Sequence, residues 1–324
     1  MTPSRDSKHS RFPRICSLLP SATEIVCALG AQDDLVGITH ECDFPPAVAA
    51  IRKVTSSSIP AHFTSAEIDA AVRASLESTG SLYELDLSAL EELQPDLIIA
   101  QRLCDVCAVA FDRVQEAAQK ISSRPRVLNL EPRSFPDVLD CVRLVGDAIG
   151  RRAAADTLTA SLQLRIDAVR DKTQNLETRP RVFCMEWVDP PFCGGHWMKE
   201  LVDLAGGRDD LAVGGHPSRR IEWTKVLEFS PEIILLTCCG FDLVRCAREA
   251  AILAKFDGVH ALPAVSSGRI FATDSSAYFS RPGPRLVDSL EILAHVVHPE
   301  LFPAVAPPNA FMPVKLTRAD ATHA

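Results

Sequence analysis

Leu90-Glu91-Glu92-Leu93-Gln94-Pro95-Asp96-Leu97-Ile98-Ile99 and Val226-Leu227-Glu228-Phe229-Ser230-Pro231-Glu232-Ile233-Ile234-Leu235 have one plan. Each ends an amphipathic helix, turns on a proline followed by an acid, and enters a wholly apolar run of strand type. Working outward, Arg14-Ile15-Cys16-Ser17-Leu18 leads to a helix ending Ala28-Leu29-Gly30. In the same way Arg181-Val182-Phe183-Cys184-Met185 leads to a helix ending Leu204-Ala205-Gly206. The order strand, helix, glycine stop, helix, Pro-acid, strand thus occurs twice, and an internal repeat of α/β units is expected.

Strand patterns fall at residues 14–19, 34–39, 96–100, 126–130, 181–186, 232–237 and 269–273. They are apolar at nearly every position, as in parallel sheets covered on both faces. Helical patterns lie between them at 22–29, 87–93, 108–121, 197–205, 223–229, 243–254 and 285–297. Only 134–172 lacks a strand signal. There Val138, Val142, Val145 and Ile149, then Leu158, Leu162, Ile166 and Val169, recur at helical spacing around a break at Gly150. The predicted fold is α/β, with two Rossmann-like lobes, each a mostly parallel sheet flanked by helices, joined by a long rigid helix. The expected divisions are a flexible N-terminal tail (1–13), an N-terminal lobe (14–133), linker helices (134–179), a C-terminal lobe (180–303) and a flexible C-terminal tail (304–324). Two such lobes place a ligand cleft at the carboxyl ends of their strands.

The 324 residues are 47% hydrophobic and 23% charged, which suits a globular chain long enough for two cores. A net charge of −8 disfavours nucleic acid or an anionic membrane as principal partner. No apolar run is long enough to span a bilayer. The short apolar stretch after Arg14 looks like a first strand rather than a leader. With eleven cysteines, an odd number scattered partly through strand patterns, this suggests a cytoplasmic protein with reduced thiols.

Pro20-Ser21-Ala22-Thr23-Glu24-Ile25 with Ala28-Leu29-Gly30, Asp34-Leu35-Val36-Gly37-Ile38 and Pro95-Asp96-Leu97-Ile98 resembles the first lobe of class III substrate-binding proteins. These are the cobalamin and iron-siderophore receptors of helical-backbone type. Trp187 with Asp189-Pro190-Pro191-Phe192, Gly206-Gly207, Ile221-Glu222-Trp223 and Ser230-Pro231-Glu232 resembles the second lobe. The resemblance runs from about residue 14 to 302. It implies a metal chelate held between the lobes for delivery to an importer. The chain departs from the pattern in its N-terminus, in an insertion near residues 56–88, and in loops rich in Cys, His and Glu.

Those loops follow predicted strands. His40-Glu41-Cys42-Asp43 offers four titratable or metal-capable side chains, although alternation along a strand lets at most two share one ion. Its bland reading is a polar, capping loop. Cys104 and Cys107 form a Cys-x-x-Cys, a motif that can hold a metal or do redox chemistry but equally marks two half-buried thiols at a helix start. Glu186-Trp187 through Gly194-Gly195-His196-Trp197 presents aromatic faces suited to a flat ring and an imidazole able to ligate metal. The same tryptophans could instead be lobe core. Cys239 and Phe241 follow one strand and Tyr278 and Arg281 the last, with Arg281 a clamp for an anion.

The expected ligand contacts are therefore His40, Glu41, Cys104, Cys107, Glu186, Trp187, His196, Trp197, Cys239, Phe241, Tyr278 and Arg281, with His40, Cys104, Cys107 and His196 as candidate metal ligands. No Gly-x-Ser-x-Gly, P-loop or Gly-x-Gly-x-x-Gly occurs. Non-catalytic binding of a metal-containing small ligand is the expected function: a cobalamin-like corrinoid, another chelate or a transition metal, with no covalent cofactor. Two alternatives stand beside it, the substrate-binding component of an ABC importer, with importer subunits as partners, and a cysteine-dependent enzyme on the same fold.

Overall fold

A computed structural model of the chain describes residues 13–60, 62–78, 82–102, 109–304, 307 and 309–317. In chain order the strands are β1 (Ile15–Ser17), β2 (Leu35–Ile38), β3 (Thr55–Ser57), β4 (Tyr83–Leu85), β5 (Leu97–Ala100), β6 (Arg126–Asn129), β7 (Val182–Trp187), β8 (Phe192–Cys193), β9 (Arg219–Arg220), β10 (Ile233–Leu236), β11 (Ile270–Thr273) and β12 (Phe311–Pro313). All seven strands expected from apolar runs are present. Contacts divide the chain into two units: one through Pro60 with 75–131 and 141–158, the other 62–74, 132–140 and the described residues from 159 on.

The first unit is built on a four-stranded sheet in the order β2-β1-β5-β6, parallel at every pairing. Its two faces are both buried, which is why the strands carry no polar alternation. Ile15, Leu97 and Ile99 face a layer containing Ile25, Val26, Val142 and Val145. Cys16, Ile98 and Ala100 face the opposite layer with Leu90, Val114 and Ala117. Pro20 occupies the first turn of helix Pro20–Ala28, where its missing N–H costs nothing. Gln94 ends helix Leu87–Leu93 in the left-handed region before the Pro-acid turn.

The second unit carries a six-stranded sheet in the order β12-β11-β10-β7-β8-β9. Its centre, β11-β10-β7, is parallel, and both edges are antiparallel additions. Phe183, Met185, Ile234, Leu236, Ile270 and Ala272 share one core layer. Ser230 repeats the left-handed stop of Gln94 at the end of helix Trp223–Phe229, so the two Pro-acid turns agree in backbone as well as in sequence. The region without strand signal is two helices, Phe135–Ala148 and the 22-residue Arg152–Thr173, with Gly150 at positive φ between them.

Three features had no apolar run to announce them. The insertion carries a two-stranded antiparallel sheet, β3 with β4, and helix Ser65–Ser78 lies between these strands in the chain. The β8-β9 ribbon is only two residues per strand and ends in Arg219 and Arg220. Phe311–Pro313 pairs as an edge strand with β11.

Candidate functional site

In the first unit the loop after β2 is organised by hydroxyl groups. Thr39, at 5% exposure, accepts from Thr55 Oγ1 at 2.9 Å, and Thr55 accepts the His40 backbone N–H at 3.0 Å. The His40 ring sits with Nδ1 2.7 Å from Thr55 Oγ1 and lies 5.4 Å from the Tyr83 ring. Tyr83 in turn donates to Glu41 Oε1 at 3.3 Å. Burial, helped by the positive charge of Lys53, lowers the His40 pKa and favours neutral imidazole. Cys42 belongs to the core instead: it is buried and lies 3.0 Å from Thr23 Oγ1. The Pro20-to-Ile25 motif is therefore a packing device, with Thr23 Oγ1 also donating to Ser17 Oγ at 2.9 Å.

In the second unit the carboxyl ends of β7 and β10 meet. Cys239 N donates to Glu186 O at 3.2 Å, and Glu186 Oε2 accepts from Gly195 N at 3.1 Å. Trp187 packs on Phe241 with ring centres 5.0 Å apart, and the Arg245 guanidinium lies 3.9 Å from the centre of the other ring of that pair, Phe241. Trp187 Nε1 donates to Ser65 O and to Asp189 O, each at 3.1 Å. The chain leaves the interior just past β10, which separates the adjacent thiols: Cys238 is buried and Cys239 exposed. Ser276 N donates to Phe241 O at 3.0 Å, which ties the loop after β11 to this group. There Arg285 sits over Tyr278 at 5.4 Å, and Arg281, only 7% exposed, donates to Ser276 Oγ at 3.3 Å.

His196 and Trp197 start a separate cluster. His196 has φ +50°, a conformation that costs a non-glycine residue energy. Its loop is clamped to the His216 backbone, with His196 N donating to His216 O and Gly215 N donating to His196 O. Its ring stacks on Trp197, and its Nε2 is buried without a hydrogen-bond partner among the described residues. Burial lowers the His196 pKa, and the Arg133 charge adds to this. Trp197 is 5% exposed with its N–H on Phe279 O at 3.1 Å, and Phe241 is 4% exposed. Both lie largely in the unit's interior.

Cys104 and Cys107 lie outside the described residues. Among the described residues no three His, Cys, Asp or Glu side chains gather to hold a metal ion. A groove of about 510 Å³ in the second unit contains none of the candidates; Phe135, Leu139, Ile166, Leu204, Arg170 and Arg179 are among the residues that line it. Sequence reasoning missed Thr55, Tyr83, Ser65, Arg245 and Glu249. The first three sit in or beside the insertion, where no periodic pattern marks them, and the last two read as ordinary helix-surface charges.

Residues 15–277 match the family described as periplasmic binding protein. The chain belongs to that family. Among curated relatives it is similar to an uncharacterised ABC transporter substrate-binding lipoprotein, YvrC of Bacillus subtilis, 24% identical over 89% of this chain and 81% of the relative. It is also similar to the vitamin B12-binding protein of Vibrio cholerae, 23% identical over 90% and 91% of the two chains. Among solved structures, a periplasmic heme binding protein from Pseudomonas aeruginosa superposes with a TM-score of 0.68 at 17% identity, covering 95% of this chain and 99% of that one. This likeness shows the two-lobed α/β fold of the family.

Membership corrects one expectation. The chain was expected to be cytoplasmic, yet its family is that of periplasmic binding proteins and its relatives are a lipoprotein and periplasmic receptors. The expectation leaned on reading the stretch after Arg14 as a first strand and on the cysteine count. Cysteines such as Cys16, Cys184 and Cys238 are fully buried, where they pack as small apolar side chains, so their number says little about compartment. Among the described residues no helix is long and apolar enough to cross a membrane.

Proposed function

We propose that this periplasmic-binding-family chain binds a metal-containing small ligand, a cobalamin-like corrinoid or another metal chelate, without transforming it. In this reading it serves as the substrate-binding component of an ABC importer. The observation that carries the proposal is the convergence of Glu186, Trp187, Cys239 and Phe241 at adjacent parallel strand ends, in a family whose curated relatives include vitamin B12-binding proteins. Open α/β sheets place ligands at such ends. His40, Glu41 and Tyr83 form the corresponding group at the end of β2.

Glu186 and Cys239 supply polar contacts, Trp187 and Tyr278 aromatic ones, and Arg281 and Arg285 the positive charge for anionic substituents of a chelate. His40 and His196 are the candidate nitrogen donors, and Cys104 and Cys107 the candidate thiolates. The chemistry of the described thiols supports binding over catalysis. Burial raises the pKa of Cys184 and Cys193, the reverse of what an activated nucleophile needs, and Cys246, whose pKa a hydrogen bond from Cys238 lowers, is itself buried. Calorimetric titration of the purified chain with cyanocobalamin, hemin and a ferric siderophore tests the reading. Saturable 1:1 binding of one of them is expected, and the absence of heat with all three overturns it.

A further inference from the structure

We infer that Thr55 is a positioning residue: it holds the His40 imidazole as the Nδ1–H tautomer, so that Nε2 offers its lone pair to the ligand. The inference rests on the binding function proposed above and deepens it. It follows from counting protons. The Thr55 hydroxyl has one hydrogen, and it is directed at Thr39 Oγ1, 2.9 Å away. Its oxygen accepts the His40 backbone N–H at 3.0 Å and faces Nδ1 of the same residue at 2.7 Å. With its only proton committed, Thr55 can meet Nδ1 only as an acceptor, so Nδ1 carries the ring hydrogen. A neutral ring has one hydrogen to place, and Nε2 is left as a base. Among the described residues no hydrogen-bond partner meets Nε2.

The surroundings keep the ring in this form. Tyr83 packs against the ring and sends its hydroxyl to Glu41, away from Nδ1. Thr55 and Tyr83 stand on paired strands, Thr55 opposite Leu85 and Ser57 opposite Tyr83, and these strands form the base of the insertion. The insertion's base thus braces His40 from two sides. A lone, oriented imidazole nitrogen complements a Lewis-acidic metal that arrives already chelated and keeps one exchangeable axial position; it does not complement a coordinatively saturated chelate.

The test has two arms. In the apo-protein labelled with ¹⁵N-histidine, NMR should show His40 protonated at Nδ1, with the signal assigned by its loss in His40→Ala. Thr55→Val should shift His40 toward the Nε2–H form, and Thr55→Ser should restore the original pattern. An Nε2–H tautomer in the unaltered protein overturns the inference without any variant being needed. In the second arm aquocobinamide, a corrinoid without its own lower base, is titrated by absorbance. A band shift of imidazole coordination is expected, lost in His40→Ala, with affinity about tenfold weaker in Thr55→Val and recovered in Thr55→Ser. Binding without the shift, equal in His40→Ala, overturns the donor role and leaves the binding function standing. No binding of aquocobinamide by any form, with the tautomer as expected, overturns the donor role, and the calorimetric titration with hemin and a ferric siderophore then decides the binding function separately.

Discussion

The Ser65 hydroxyl donates to Glu249 Oε2 at 2.8 Å across 184 positions of sequence. Both side chains are buried, and around them the 62–74 stretch is fastened to the strand ends of the second unit. Trp187 Nε1 donates to Ser65 O, Arg245 donates to Phe63 O, and Ile68 packs in the same core layer as Trp187 and Phe241. A capping exchange between Thr64 and Glu67 starts the helix that carries these contacts.

Removing that hydroxyl should therefore be costly. Burial raises the Glu249 pKa, and the Ser65 hydrogen bond is the largest influence working the other way. Ser65→Ala leaves a buried carboxylate short of a donor and is expected to lose about 1–3 kcal/mol in urea denaturation. Glu249→Gln keeps an acceptor for Ser65 and should lose less. Equal losses in the two variants would mean that the contact contributes no specific stabilisation.

Asp209 sets a pH dependence. It is fully buried; Oδ1 accepts from Leu211 N at 2.9 Å and Ala212 N at 3.1 Å, while among the described residues no donor comes within hydrogen-bonding geometry of Oδ2. Desolvation pushes its pKa up to about 6, against the pull of its backbone hydrogen bonds and the Lys199 charge. The native state then holds a proton that the unfolded chain releases near pH 4, so this group's contribution falls as pH rises between roughly 4 and 6. Asp209→Asn keeps the carbonyl acceptor and cannot ionise. Its stability relative to the unaltered chain should rise by up to about 3 kcal/mol across that window and then stay level. A constant difference from pH 4 to 7.5 in chemical denaturation would show that Asp209 ionises without penalty.

How far the sequence could reveal this protein depends on what each residue's neighbours are. The apolar runs at Leu97–Ala100 and Ile233–Leu236 announce central strands because helices cover both faces, and the Pro-acid turns before them mark the repeat. Glu186, Trp187 and Cys239 were legible as strand-end residues for the same reason. Thr55, Tyr83 and Ser65 were not, because their roles come from contacts made by an insertion whose strands are three residues long, too short for a period to stand out. Trp197 shows the opposite limit. Its place in the loop after a strand suggests a ring for a flat ligand as readily as lobe core, while its burial and its indole N–H on Phe279 O place it in the interior.

Trp197 and Cys239 should separate stability from binding. Trp197→Phe removes the indole N–H that satisfies Phe279 O and leaves a space in the interior; a loss of about 1–3 kcal/mol in thermal or urea unfolding is expected. Cys239 is exposed, so Cys239→Ala should stay within about 0.5 kcal/mol of the unaltered chain. In calorimetry with whichever chelate binds, Cys239→Ala should weaken affinity, while Trp197→Phe protein that remains folded should keep it. The reverse pattern would put the ligand against Trp197 and away from the β10 end.

Gly195 and Gly214 form the sharpest pair of glycines to compare. A Cβ on Gly195 would fall 2.1 Å from Ser218 N and 2.7 Å from Pro217 C, backbone atoms that no side-chain rotation can move aside. On Gly214 the nearest atom would be Lys199 Cβ at 3.9 Å, and its φ is not in the left-handed region. Gly195→Ala must push residues 217–218 away, and with them the β8-β9 pairing of Cys193 with Arg219. The Gly195 N–H on Glu186 Oε2 and the His196–His216 backbone clamp would go too. A loss of about 3 kcal/mol or more is expected, together with loss of chelate binding, whereas Gly214→Ala should be neutral or stabilising by up to about 1 kcal/mol. If Gly195→Ala unfolds at the same urea concentration as the unaltered chain, the close approach of this loop to Ser218 is wrong, and so is the placement of Glu186 and His196 that depends on it.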